Sequence, residues 1–260
     1  MKRRSLLLGA AAGLAAPAVL TPAAPALAAD RPLRPAWGTV PMQPPWPGRQ
    51  RQNRASALKT LPVETKQVII VGASSYTATY ATLEAYVRAR NGWQPASAVL
   101  PARIGSKGFS DNHVEGVPTT PTGVYSIGPT MYGIAANPGV RYPYHRLVSG
   151  DWWNENPSSS LYNTFQHSAT NPGGASEALW LEDPAYTHFA VITYNMTPNV
   201  PKPVPNAGSG IFLHQFSKSA GPTAGCVSLA HDHLVDVLNW LDPALSPRIV
   251  LSPYAQLGRY

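Results

Sequence analysis

The chain holds a single cysteine, Cys226, in the run Thr223-Ala224-Gly225-Cys226-Val227-Ser228-Leu229. A short way upstream, the apolar run Gly210-Ile211-Phe212-Leu213 ends on His214. A thiol attacks carbonyl carbon well only as the thiolate, and a neighbouring imidazole takes the proton and steadies the anion. Ile211 to Leu213 read as a buried strand, which sets His214 at a strand end. Gly221-Pro222 and Gly225 supply the turn chemistry to bring Cys226 back toward the ring. Gly225 permits close backbone approach, and the amides around Cys226 suit a developing oxyanion. The same pair also fits a structural role, because free cysteine is among the most buried residue types and a histidine ending an apolar strand is often a satisfied core group.

Compartment weighs on the side of reactivity. Met1-Lys2-Arg3-Arg4-Ser5-Leu6-Leu7-Leu8 opens a basic n-region, an Ala/Leu/Gly stretch runs to about Leu20, and Ala26-Leu27-Ala28-Ala29 offers a small-residue cleavage site. Residues 1–29 therefore read as an export signal. The Arg3-Arg4 pair resembles a twin-arginine signal, with an ordinary secretory signal as the alternative. The mature chain is expected outside the cytoplasm, secreted or held at the cell wall. An unpaired cysteine in an oxidising compartment cannot staple a fold, so it calls for a reason such as reactivity. No later stretch is long and apolar enough to cross a bilayer, which argues against stable membrane insertion.

Charge excludes one large class of partner. The 20 Lys and Arg face 13 Asp and Glu, but Lys2, Arg3 and Arg4 leave with the signal. Arg31, Arg34, Arg49, Arg51, Arg54 and Lys59 cluster in a segment rich in proline (Pro32, Pro35, Pro41, Pro44, Pro45, Pro47). Residues 30–60 thus read as a basic, semi-extended linker, and the remainder is close to balanced. Nucleic acid is not implied.

Residues 61–260 read as one domain able to bury its own core. Gln67 to Val71 is a β-prone run closed by Gly72. Tyr76, Tyr80, Leu83 and Val87 stand at helical spacing, with Ser75 or Thr77 as a cap and Asn91-Gly92 as a stop, and predict a helix. Short strands are expected over Ala98 to Leu100, Gly123 to Ile127, His188 to Tyr194, Gly210 to His214 and Arg248 to Leu251. Asp232 to Leu241 places Leu234, Val237, Leu238 and Leu241 on one helical face, with Pro243 beyond its end, and should pack behind the cysteine loop.

Three pieces of this sequence, in order, resemble the catalytic domain of the YkuD-type L,D-transpeptidases, cysteine enzymes that cross-link bacterial peptidoglycan. They are Thr120-Pro121-Thr122-Gly123-Val124-Tyr125-Ser126-Ile127, Ile211-Phe212-Leu213-His214, and the Gly225-Cys226 box with Thr223 ahead of it. The resemblance implies a mainly β fold with flanking helices (α+β), a sandwich or open barrel, and acyl transfer without metal or other cofactor on peptidoglycan stem peptides. It implies Cys226 as nucleophile, His214 as general base, and Thr223, Gly225 and Ser228 as residues shaping the site. Two positions depart from the family pattern: Ala224 replaces the usual histidine, and Ser228 replaces the arginine or asparagine often found there.

Asp151-Trp152-Trp153-Asn154 and Ser160-Leu161-Tyr162-Asn163 combine aromatic and amide groups suited to gripping a glycopeptide, so Tyr144, Trp152, Asn154 and Tyr162 are candidates for the substrate groove. Core aromatics are the competing explanation, and Tyr142 and His145 have similar standing. His231-Asp232-His233 with Asp236 lacks metal-ligand spacing and reads as a solvated helix start. His113, His167 and His188 read as structural histidines.

Overall fold

The apolar runs of this chain are short, rich in β-branched and aromatic residues, and cut by glycine and proline, so strands dominate. The computed structural model describes residues 53–260; the expected export signal and most of the basic linker lie outside the described residues. In chain order the strands are β1 (Gln67–Ala73), β2 (Tyr80–Ala89), β3 (Gly92–Pro95), β4 (Leu100–Arg103), β5 (Phe109–Ser110), β6 (Thr120–Pro121), β7 (Gly123–Gly133) and β8 (Tyr144–Arg146). They continue with β9 (Asp151–Asn154), β10 (Thr164–His167), β11 (Glu177–Ala178), β12 (Phe189–Ile192), β13 (Phe212–Gln215), β14 (Val227–Leu229) and β15 (Arg248–Pro253). The helix α1 (His231–Trp240) falls between β14 and β15.

The main sheet runs β1-β15-β7-β12-β13-β14-β4-β2, and β2 pairs back onto β1, so the sheet closes into a barrel. β3 and β8 hang on β2 and β7, and a separate small sheet is ordered β10-β9-β11. This is the mainly β architecture with flanking helices that the resemblance implies, with the β1–β2 ladder closing the barrel.

Alternation along the strands sorts side chains into two faces. Ile69, Leu83, Ala102, Ile127, Met131, Ile192, Leu213, Val227 and Ile249 fill the barrel, and α1 adds Leu234, Val237, Leu238 and Leu241 to the same core. Each such Val, Leu, Ile or Met side chain withdrawn from water stabilises the fold by roughly 1.5–3 kcal/mol before entropy is counted. Gln67 ties the helix end to β1, donating to the Trp240 carbonyl and accepting from the Asp242 amide, each at 2.8 Å. Outside the barrel, Val68, Ile70, Tyr86, Trp93 and Val250 pack with Ala55, Leu58, Leu61, Tyr254 and Leu257. Ala55 is fully buried there within a 3-10 turn, Arg54–Ala57. Ordered packing therefore begins before the boundary at residue 61 expected from composition.

The helix expected through Tyr76, Tyr80, Leu83 and Val87 does not form. Tyr80–Ala89 is β2, because Ala81, Leu83 and Ala85 recur at period two into the barrel, while Tyr86 is buried on the opposite face. Arg90-Asn91 turns the β2–β3 hairpin and Gly92 opens β3, where a helix end was expected. The strand expected over Ala98 to Leu100 starts only at Leu100.

Candidate active site

β13 and β14 lie parallel, with Leu213 opposite Val227 and His214 opposite Ser228. Leu213 and Val227 enter the barrel core, so Phe212, His214, Cys226 and Ser228 share the outer face. Sequence near Cys226 thus does two jobs: odd positions fill the core and even positions face a cavity of about 380 Å³ lined by Cys226, His214, Ser228, His113, Gly225 and Glu177, among others.

The loop before Cys226 is pinned at several points. Thr223 Oγ1 donates to the Cys226 carbonyl at 2.6 Å and accepts from the Gly225 amide at 3.2 Å. Thr120 Oγ1 donates to the Gly225 carbonyl at 2.7 Å and accepts from the Gly105 amide at 2.8 Å. Gly225 has φ +155, and a Cβ there would come 3.0 Å from the Thr119 carbonyl oxygen, so glycine is required on both counts.

The sulfur is held by backbone on both sides. Cys226 Sγ accepts from the Phe212 amide at 3.3 Å and donates to the Gly210 carbonyl at 3.2 Å. Gly210 sits at φ +61, and its amide donates to Asn163 Oδ1, which also receives Trp153 Nε1. His214 Nδ1 bonds the Gln215 carbonyl at 2.6 Å. That contact makes Nδ1 the protonated nitrogen and leaves Nε2 with the free lone pair a general base needs. The Tyr186 ring packs edge-on against both Phe212 and His214.

Thiol and imidazole share the cavity but make no direct hydrogen bond, and their charge states follow from burial. Burial pushes the Cys226 thiol far above its usual range, the Glu177 and Glu155 carboxylates push the same way, and only backbone amides oppose them. Burial pushes the His214 imidazole down to about 4, against the Gln215 carbonyl. The resting pair is therefore neutral thiol and neutral imidazole, and not the ion pair that the residue types alone suggest.

Residues 66–250 match the family model for the YkuD L,D-transpeptidase catalytic domain. The chain belongs to that family. No curated protein and no solved structure matches it. The L,D-transpeptidase domain is that of a peptidoglycan-modifying enzyme, and among the described residues no helix is long and apolar enough to cross a membrane.

Within this L,D-transpeptidase domain the structure brings Cys226, His214, Thr223, Gly225 and Ser228 to one place. The four groove candidates make their bonds elsewhere in the fold. Tyr144 donates to the Ala135 carbonyl and meets His188 Nδ1. Trp152 donates to the Ser168 carbonyl and packs on Trp180. Asn154 donates to Ser159 Oγ within its own loop. Tyr162 donates to the Glu115 carboxylate. None of the four lines the cavity; each satisfies its polar group inside the protein, Tyr162 by orienting a carboxylate that does line it.

Several lining residues escaped the sequence reading. His113, expected to be structural, reaches the cavity while bonding Thr119 Oγ1 at 2.9 Å. Glu115, Glu155, Glu177 and Glu182 also line it. They come from separate loops and from β11, with no local spacing to group them. His231 bonds its neighbour Asp232, in keeping with a helix start.

Proposed function

We propose that this chain is an exported cysteine acyltransferase that cross-links peptidoglycan stem peptides through a thioester on Cys226, with His214 as general base. The observation that carries this reading is the shared outer face of two adjacent strands. There a lone thiol and an imidazole with a free Nε2 line one cavity. Membership of the family supports the substrate class, and the basic leader of the sequence supports export.

Because both groups rest neutral, the thiolate forms as the substrate binds and not before. A tetrapeptide stem entering the cavity sets its third-residue carbonyl against Sγ. His214 Nε2 takes the thiol proton as the C–S bond forms, then gives it to the nitrogen of the departing D-alanine. The backbone amides beside Cys226 donate to the oxyanion. An amine from a second stem then resolves the thioester; water in its place makes the enzyme an L,D-carboxypeptidase.

The separate backbone bonds of Cys226 and His214 favour one rival, a wall-binding domain that keeps the scaffold without turnover. Incubation with a tetrapeptide stem and an amine-bearing second stem separates these readings. Cross-linked dimer supports transfer, free tripeptide alone supports the carboxypeptidase, and recovery of unchanged tetrapeptide supports the binding domain.

A further inference from the structure

The cavity carries more acid than the thiol chemistry uses. Glu115, Glu155, Glu177 and Glu182 line it, and no Lys or Arg among the described residues forms an ion pair with any of them. Glu182 is exposed, but Glu155 and Glu177 are half-buried; carboxyl groups partly withdrawn from water without a cation are costly, and they raise the barrier to ionising a thiol beside them. A second, independent feature points to a missing occupant. Ser228 is 1% exposed and lines the same cavity opposite His214, yet its Oγ has no hydrogen-bond partner. A buried hydroxyl left unpaired costs about 1–3 kcal/mol, which a bound polar group recovers.

We propose that Glu155 and Glu177 form a binding site for a primary ammonium group, the acceptor amine that resolves the thioester, and that they take its first proton. The inference rests on the acyl-transfer reading above and assigns to that site its cation-selective half. Position supports it. Glu155 lies against Gly210, whose carbonyl receives the Cys226 thiol. Glu177 accepts from Tyr186 Oη at 2.7 Å, and the Tyr186 ring touches His214. Glu155 thus neighbours the residue whose carbonyl holds the thiol, and Glu177 is held by the hydroxyl of a ring that packs against both Phe212 and His214. Burial raises the affinity of each for a proton, and repulsion from Glu177 adds to this at Glu155. The pair therefore keeps one proton near neutral pH and presents one carboxylate to the ammonium, and that carboxylate, of raised basicity, is a better match for an ammonium proton than an exposed one is.

The step balances without any further reactant. The ammonium gives one proton to a carboxylate and becomes a neutral amine with its lone pair free. The amine nitrogen bonds to the thioester carbonyl carbon while the π pair moves to oxygen. His214 Nε2 takes a second proton from that nitrogen. The C–S bond then breaks with its electron pair on Sγ, and the imidazolium returns the second proton to sulfur. The carboxyl releases the first proton to solvent as the amide product leaves. The Ser228 hydroxyl remains available to a polar group of the bound acyl chain.

The test measures how the full chain partitions a thioester preformed from tetrapeptide stem between amine and water. With an amine-bearing stem as acceptor, Glu155→Gln and Glu177→Gln should each raise the half-saturating acceptor concentration about tenfold and shift product from dimer toward free tripeptide. Thioester that forms in both variants with unchanged acceptor dependence overturns the ammonium site alone. Unmutated chain that never forms a thioester overturns the acyl-transfer reading and this proposal with it. A second measurement needs no variant: n-butylamine and 4-aminobutanoate compete for the wild-type thioester. The acidic cavity should favour n-butylamine about tenfold beyond the preference of a free thioester in solution. Equal preference overturns the proposal.

Discussion

Thr120 and Gly225, 105 positions apart in sequence, are joined by a hydrogen bond of 2.7 Å from the threonine hydroxyl to the glycine carbonyl. The Thr-Pro-x-Gly strand entry and the Gly-Cys box are therefore one physical unit, since the same hydroxyl accepts the Gly105 amide. Thr120→Val keeps the shape and β propensity but removes both bonds in a fully buried setting. It should cost about 1–3 kcal/mol in urea denaturation and slow thioester formation more than it weakens stem binding. A kinetic split between kcat and KM checks the second part.

Acid should destabilise the fold through His214. Its folded pKa, about 4, lies below the ordinary value near 6.5. The unfolded chain therefore binds the proton more readily, and the stabilising contribution is complete above about pH 6.5 and lost as pH falls toward 4. The size is about 3 kcal/mol for a fully buried ring. Denaturation midpoints at pH 7 and pH 4 measure it: wild type should lose about that much more than His214→Gln over the interval.

The Cys226 thiol should become easier to ionise when negative charge near it is removed. Burial is the largest influence on it and Glu177 the next, and Glu177→Gln keeps an acceptor for Tyr186. Alkylation of Cys226 by iodoacetamide at pH 8 should rise about threefold or more in that variant. An unchanged rate would mean that burial alone controls the thiol.

Asp151 braces the strand that leads to Glu155. It is fully buried, accepts from His145 Nε2 at 2.8 Å, His167 Nδ1 at 2.7 Å and the Val148 amide at 2.8 Å, and begins β9. Asp151→Asn offers donors where donors already point. It should lower stability by about 2–4 kcal/mol, read from the urea midpoint.

The sequence made the chemistry of this site more legible than its surroundings. His214 and Cys226 were readable because an apolar run leading into histidine and a Gly-Cys turn are local patterns; the strand itself runs one residue further, to Gln215. Leu234, Val237, Leu238 and Leu241 revealed α1 for the same reason, with their buried face repeating at helical period. β2 was misread because Leu83 and Val87 fit both periods, and only the barrel, covered on both sides, decides between them. The cavity carboxylates were invisible for a different reason. Glu115, Glu155 and Glu177 lie tens of residues apart and meet only in the fold, where Trp153 of β9 packs on Phe212 of β13 and Glu115 accepts from Ser209. Trp152 and Tyr144 show the limit of composition: an aromatic, amide-rich stretch suits a groove or a core alike, and their polar atoms are bonded within the fold.

The most direct test of the account is the intact mass of the protein after brief exposure to a tetrapeptide stem, measured in parallel for Cys226→Ala and His214→Gln. The account predicts a covalent tripeptide adduct on wild-type chain with release of D-alanine, none on Cys226→Ala, and an adduct on His214→Gln that forms at least about a hundredfold more slowly. An adduct that persists in Cys226→Ala, or wild-type chain that releases D-alanine without ever carrying the tripeptide, would contradict it.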